Sequence, residues 1–247
     1  MPPIVYLISG ANRGIGLGFV TALARRDNVI VFAGARNPTA AEDLQSLVQQ
    51  FPGKVHIVKL TSCDKTDNDA AVATIKTIAG RLDVVIACAG INQFIGPSLE
   101  TPVEQMRDHF EINTVGTLVL FQATYPLLTA STPSPKFIPI SSGSGSITDG
   151  TALPVGALAY CSSKAALNFL ARKLHFEYEN LICFPISPGR VATDMVTFAN
   201  KSGEWIKSRP VITVEESVKS LLNVIDNSTR EKTGGTFMNY DGGNCKW

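Results

Sequence analysis

The sequence predicts an α/β protein of one domain, a doubly wound parallel sheet with helices on both faces. Three observations lead there. Short apolar runs rich in β-branched residues alternate with longer stretches of helical periodicity, as repeated strand–helix units require. The runs are continuously apolar, so each strand should be buried on both faces, as in a parallel sheet covered by helices. The 247 residues, 45% hydrophobic and 17% charged, suffice for one large core, with no internal repeat or linker-like tract.

In chain order, strands are expected at residues 5–9, 29–33, 55–59, 84–87, 136–140, 181–186 and 236–239. Helices are expected at 14–26, 39–50, 67–79, 103–128, 157–179 and 214–225, with right-handed crossovers. Residues 143–154 and about 192–210 lack periodicity. Both stretches follow strand carboxyl ends, where open α/β sheets place ligands, and the second is expected to be a mobile substrate loop.

Composition narrows the function. With 22 basic and 21 acidic residues the formal charge is +1, and no basic block occurs. Nucleic acid and membrane are therefore not expected as partners. No apolar run approaches the roughly 18 residues of a membrane span. Met1-Pro2-Pro3 leads directly into the first strand without a basic n-region, and a cytoplasmic location is expected. The five cysteines and three histidines are scattered, so neither a disulfide framework nor a metal site is expected.

Ser9-Gly10-Ala11-Asn12-Arg13-Gly14-Ile15-Gly16 closes the first strand and opens a helix. Glycines allow the tight turn, and missing side chains let a pyrophosphate approach the helix N-terminus, whose free N–H groups and dipole favour an anion. Tyr160 and Lys164 are four residues apart, so they share one helix face. A free tyrosine titrates near 10, and a neighbouring cation would lower that toward the range useful for proton transfer. Ser142 lies at a strand end upstream, and Asn113 sits in an otherwise apolar helix, where an asparagine needs a specific task or a solvent-facing position.

Together these motifs resemble the short-chain dehydrogenase/reductase family, across essentially the whole chain. Within it they look most like carbonyl-reductase-type members, including fungal polyketide ketoreductases such as norsolorinic acid ketoreductase. The resemblance implies a Rossmann fold and an NADP(H)-dependent oxidoreductase that interconverts a ketone and an alcohol. It implies that Tyr160 is the general acid in reduction and the base in oxidation. Lys164 would lower the tyrosine pKa and bind the nicotinamide ribose, Ser142 would hydrogen-bond the reacting oxygen, and Asn113 would position a water in a proton relay. Gly10, Asn12, Arg13, Gly14, Ile15 and Gly16 would bind the cofactor, with Ala89 and Gly90 after the fourth strand. Pro188, Gly189, Val191 and Thr193 match the family's nicotinamide-holding segment.

Three departures stand out. Cys88 occupies the place of the family's usual asparagine and is expected to pack beside the cofactor. Thr61 stands where an acidic residue usually meets the adenine, leaving Thr61 and Asp64 as alternatives. The spacing from Ser142 to Tyr160 is lengthened, so Ser144 and Ser146 compete with Ser142, which is preferred because it directly follows the strand.

The second strand ends without a carboxylate and carries Arg36, which with Arg13 should meet the 2′-phosphate of NADP(H). Phe94, Ile147, Leu153, Met195, Phe198 and Trp205 are candidates for an apolar pocket suited to a bulky ketone. Apolar surplus on the helices at 103–128 and 157–179 adds the expectation of a homodimer or homotetramer. The rival readings are an alcohol dehydrogenase working oxidatively and a non-catalytic NADP(H)-binding sensor.

Overall fold

Val5 and Leu7 face one side of the first strand and Tyr6 and Ile8 the other, and none of the four is more than 2% exposed. That double burial is repeated through a parallel sheet, and it follows from strands made almost wholly of apolar residues. The computed structural model describes residues 2–131 and 134–247. Its strands β1 (Ile4–Ile8), β2 (Val29–Ala35), β3 (Val55–Lys59), β4 (Val84–Ala87), β5 (Lys136–Pro139) and β6 (Ile182–Cys183) form a sheet in the order β3-β2-β1-β4-β5-β6. Every strand pair in it is parallel.

Helices α1 (Gly14–Ala24), α2 (Glu42–Gln50) and α9 (Val214–Asp226) cover one face, where Phe19, Leu44 and Leu221 meet Tyr6, Ile8 and Val31. On the other face α3 (Lys65–Ala79), α5 (Gly116–Thr129) and α6 (Leu158–Glu177) bring Ile75, Phe121 and Leu174 against Val5, Leu7 and Phe32. Each fully buried side chain of this size contributes about 1.5–3 kcal/mol. Because β2 and β3 lie to one side of β1 and β4 to β6 to the other, the carboxyl ends of β1 and β4 flank a crevice.

The structure alters several expected boundaries. The helix expected from residue 39 starts at Glu42, after a 3-10 turn at Pro38–Ala40. The expected helix 103–128 is α4 (Val103–Phe110) and α5 joined by a wide π-type turn, Glu111–Val115. The strand expected at 181–186 is divided into β6 and β7 (Ile186–Ser187), because Pro139 and Pro185 bring no N–H to the ladder. Strand β7 pairs with β8 (Met238–Asn239) and is bridged to the end of β5 through Ile140 and Ile186. Residues 192–210, expected to be irregular, hold α7 (Asp194–Ala199), a 3-10 turn and α8 (Glu204–Lys207), each too short to show a 3.6-residue period in sequence.

The apolar surplus on α5 and α6 is largely spent within the chain, since Leu120, Phe121 and Leu167 are buried. Phe169 and Phe176 remain 73% and 63% exposed. Among the described residues, no helix is long and apolar enough to cross a membrane.

Candidate active site

Helix α1 begins without a side-chain cap and without an acidic residue in its first turn. Two other helices carry a side-chain cap at this end. Asp64 accepts the N–H of Asp67 at 3.0 Å to cap α3, and Thr213 and Glu216 form a reciprocal capping box on α9. The first N–H groups of α1, and the positive end of its dipole, are left for an anion. The loop in front of them has no room for side chains. Gly10 has φ +63°, and a Cβ there would stand 2.8 Å from the Ala89 Cα; at Gly16 it would stand 2.2 Å from the Gly10 carbonyl oxygen. A bare, N–H-lined cradle at the crevice fits a dinucleotide pyrophosphate.

One flank of this cradle is held by a hydroxyl to which the sequence assigned no role. The Ser9 hydroxyl oxygen accepts the N–H groups of Cys88 (3.0 Å) and Ala89 (3.1 Å), tying the ends of β1 and β4 together. Cys88 itself packs against the core, and burial pushes its thiol pKa up to about 12. Arg13 reaches Asp194 at 3.2 Å, both side chains well exposed, so the glycine loop is joined to the segment that follows β7. Arg36 is exposed at the end of β2 and, among the described residues, has no ion-pair partner. Of the two adenine-side alternatives, Asp64 is engaged as the α3 cap. Thr61 borders a cleft with Ser9, Ser62, Ala89 and Gly116.

Tyr160 and Lys164 lie one turn apart on α6, with the Lys164 Nζ 5.8 Å from the phenol ring centroid. Lys164 is buried and donates to the Ile140 carbonyl at 2.8 Å; burial pushes its pKa down to about 8. Tyr160 is hydrogen-bonded to Ser142, whose hydroxyl oxygen also accepts the N–H of Ser144 at 3.2 Å. Ser146 is occupied elsewhere, donating to the Trp247 main-chain oxygen at 3.2 Å and accepting the N–H of Asp149 at 3.0 Å. Of the three competing serines, Ser142 is therefore the one at the tyrosine.

The expected fall in the tyrosine pKa is not met. Burial pushes Tyr160 up to about 12, and the hydrogen bond from Ser142 acts against that without overcoming it. Desolvation outweighs the neighbouring cation, whose ammonium is turned to the Ile140 carbonyl. At neutral pH the phenol keeps its proton and can give it away.

Asn113 sits in the π-type turn with its side chain fully buried. Its Oδ1 accepts the N–H of Ile91 at 2.7 Å, and its Nδ2 donates to the Ile91 carbonyl and to the Ser163 hydroxyl, each at 3.0 Å. Insertions of this kind recur at functional sites, and here one aims a side chain across to the loop after β4. A Cβ on Gly90 would stand 3.1 Å from the Asn113 Oδ1 and 3.5 Å from the Lys164 Nζ, so both groups border the space that Gly90 leaves open.

A short chain dehydrogenase family profile matches residues 4–204. The chain belongs to the short chain dehydrogenase family. It is 37% identical over 252 residues to the norsolorinic acid ketoreductase of Aspergillus parasiticus, covering 98% of this chain and 91% of that protein. Among solved structures it resembles the NADPH-bound carbonyl reductase from chicken fatty liver, with a TM-score of 0.89, 33% identity and full coverage of both chains. It also resembles the Drosophila melanogaster carbonyl reductase Sniffer, with a TM-score of 0.86 and 29% identity over 99% of this chain and all of that one.

In this short chain dehydrogenase the segment after β7 starts from Pro188, whose carbonyl accepts the Ser217 hydroxyl at 2.7 Å. Gly189 has φ +81°, and Thr193 donates to the Val191 carbonyl at 3.2 Å. Asn12 and Ile15 lie in the cradle beside the bare glycines.

The proposed pocket residues divide. The Phe94 ring folds over Gly96, whose N–H donates to the Gly156 carbonyl at 2.7 Å, joining the loop after β4 to the turn before α6. Leu153 lies half-buried in that turn region, and Met195 and Phe198 are half-buried on α7. Ile147 is left 69% exposed, and Trp205 on α8 lies under the Arg209 guanidinium at 5.3 Å.

Sequence reading missed Ser163 and Asn168 as well as Ser9. Asn168 accepts the Ser141 hydroxyl and donates to the Gly145 carbonyl at 3.2 Å, bracing the Ser142 loop. The signal was available, because Asn168, like Asn113, is a mid-helix asparagine.

Proposed function

We propose that this protein is an NADP(H)-dependent ketoreductase that reduces a bulky ketone to an alcohol. The observation that carries the reading is the meeting of Ser142, Tyr160, Lys164 and Asn113 beside an uncapped helix N-terminus fronted by bare glycines. Glycines 10, 14 and 16 and the first N–H groups of α1 would hold the pyrophosphate, Arg36 and Arg13 the 2′-phosphate, and Lys164 the nicotinamide ribose. Bound NADPH supplies the hydride that the carbonyl carbon takes up.

Tyr160, protonated at neutral pH, donates its proton to the carbonyl oxygen as the alcohol forms. Ser142, which donates to the phenol in the free protein, turns its one hydroxyl hydrogen to the same carbonyl oxygen when the ketone is bound. Lys164, with its Nζ 5.8 Å from the ring centroid, returns a proton toward Tyr160. Asn113 holds the wall of that route by clamping Ile91 and Ser163. A binding protein that only sensed the cofactor would need the cradle, not this set of proton-handling groups.

Substrate class is inferred from half-buried apolar side chains on the segments that follow the strand carboxyl ends, Phe94, Leu153, Met195 and Phe198, which suit a bulky ketone. The ketoreductase and carbonyl reductase names of the relatives support the same direction of reaction. The test is a panel of aromatic and aliphatic ketones assayed for NADPH consumption. Tyr160→Phe should lower turnover by at least ~10²–10⁴ while NADPH binding survives, as for lost general acid catalysis. Reduction at near wild-type rate by that variant refutes the role of Tyr160.

A further inference from the structure

Beyond β8 the chain makes a tight turn at Asp241-Gly242, with Gly242 at φ +89° and the Gly243 N–H donating to the Asp241 carboxylate at 2.9 Å. It then returns antiparallel to β8. The N–H of Cys245 donates to the Phe237 carbonyl at 2.7 Å, and Asn244 pairs with Met238. This return delivers Lys246 and Trp247 to the loop that carries Ser142.

The contacts made there are specific. The Trp247 main-chain oxygen accepts the N–H of Thr148 at 2.8 Å and the hydroxyl of the buried Ser146 at 3.2 Å. Lys246 pairs with Asp149 at 3.3 Å. The indole is anchored in turn, with the Arg172 guanidinium of α6 4.7 Å from its centroid and the Phe237 ring at 5.7 Å.

The loop needs such a brace. Gly143-Ser144-Gly145-Ser146 has almost no side chain to pack, and glycine-rich backbone loses much freedom on being fixed. On one side it is pressed against α6, where a Cβ on Gly145 would stand 2.8 Å from the Lys164 Cβ and Asn168 binds the Gly145 carbonyl. The Gly143 N–H donates to the Ser187 hydroxyl at 3.1 Å, and beyond Gly145 the contacts from outside the loop come from Trp247 and Lys246. Arg172, which holds the indole, stands two turns beyond Lys164 on the helix that carries Tyr160. The segment therefore ties the serine loop to the tyrosine helix.

We propose that Trp247, with Lys246, is a positioning residue that sets Ser142 against Tyr160 through Ser146 and Thr148. The inference rests on the proposed roles of Ser142 and Tyr160. Trp247 touches no reacting group; it acts through the loop.

The test uses the full chain as wild type, Trp247→Ala, Trp247→Phe, Ser146→Ala and the Ala/Ala double variant, with Tyr160→Phe alongside. A misplacement of about 1 Å at a reacting group can lower a rate by ~10², so Trp247→Ala should lose roughly ten- to a hundredfold in kcat. NADPH affinity, read by cofactor fluorescence without substrate, should be unchanged. Trp247→Phe, which keeps an aromatic ring for Arg172 and Phe237, should recover most of the loss, and the double variant should be little worse than Trp247→Ala alone. Hydrogen exchange should quicken across residues 143–150 while β1 and β4 stay protected.

The proposal is overturned by unchanged exchange at 143–150. It is also overturned by faster exchange there with kcat intact, or by kcat and NADPH affinity falling together with exchange quickened across the sheet. Should Trp247→Ala fail to fold, Ser146→Ala decides by the same readings. An active Tyr160→Phe would instead sink the reading of the active site, and the exchange arm would still report on the clamp.

Discussion

Replacing Arg36 with alanine tests the cofactor reading with a magnitude that the structure bounds. Arg36 is exposed and, among the described residues, holds no ion pair, so its removal should leave the fold's stability unaffected and act on binding alone. A charge-assisted hydrogen bond to phosphate contributes about 1.5–3 kcal/mol. At 1.4 kcal/mol per decade, Arg36→Ala should weaken NADPH roughly ten- to a hundredfold and leave NADH nearly unchanged. Arg13 differs because it must leave Asp194, but that pair joins side chains 68% and 85% exposed and is worth only about 0–1 kcal/mol. Arg13→Ala should therefore cost somewhat less than Arg36→Ala. Asp194→Asn, which frees Arg13, should tighten NADPH by up to about fivefold. Arg36→Asp should go furthest, repelling the phosphate while offering the ribose hydroxyls an acceptor. Dissociation constants and kcat/KM for both cofactors, measured at one ionic strength, check all four variants. Wild type preferring NADH, or Arg36→Ala weakening both cofactors equally, refutes the reasoning.

Alanine scanning of the serine loop should take most of kcat at Ser142, little at Ser144 and an intermediate share at Ser146. A dominant loss at Ser144 would move the hydroxyl's role there. Lys164 titrates at about 8 in the fold against 10.5 in a free chain, so between those values the unfolded state holds a proton that the folded state has shed. Stability relative to Lys164→Met should thus rise by about 3 kcal/mol from below pH 8 to above 10.5, and be lost again as pH falls. Denaturant melts across that range check it, and a flat difference would contradict the buried lysine. Phe169 and Phe176 leave an aromatic patch on α6, so Phe169→Asp should shift a dimer or tetramer toward monomer in light scattering. A wild-type monomer at micromolar concentration would remove that expectation.

Much of this protein was decided within short stretches of sequence. Strands such as residues 4–8 and 84–87 are apolar on both faces and can only lie inside a parallel sheet, and the glycine loop declares a bare helix N-terminus through its residue types alone. Tyr160 and Lys164 were legible because helical periodicity alone puts them on one face. Other features depend on contacts between residues far apart in the chain. The hydrogen bond that engages Ser146 is made with Trp247, a contact across 101 positions that no local pattern encodes. The direction of the tyrosine pKa reversed because desolvation is a property of the assembled site and the nearby cation is a property of the sequence. The π-type turn that aims Asn113 at Ile91, and the Ser9 hydroxyl that joins β1 to β4, likewise arise only when buried polar groups must find partners once the elements pack. Periodicity and backbone freedom are local and can be read along the chain; burial and hydrogen-bond satisfaction are settled between elements, and tertiary structure alone decides them.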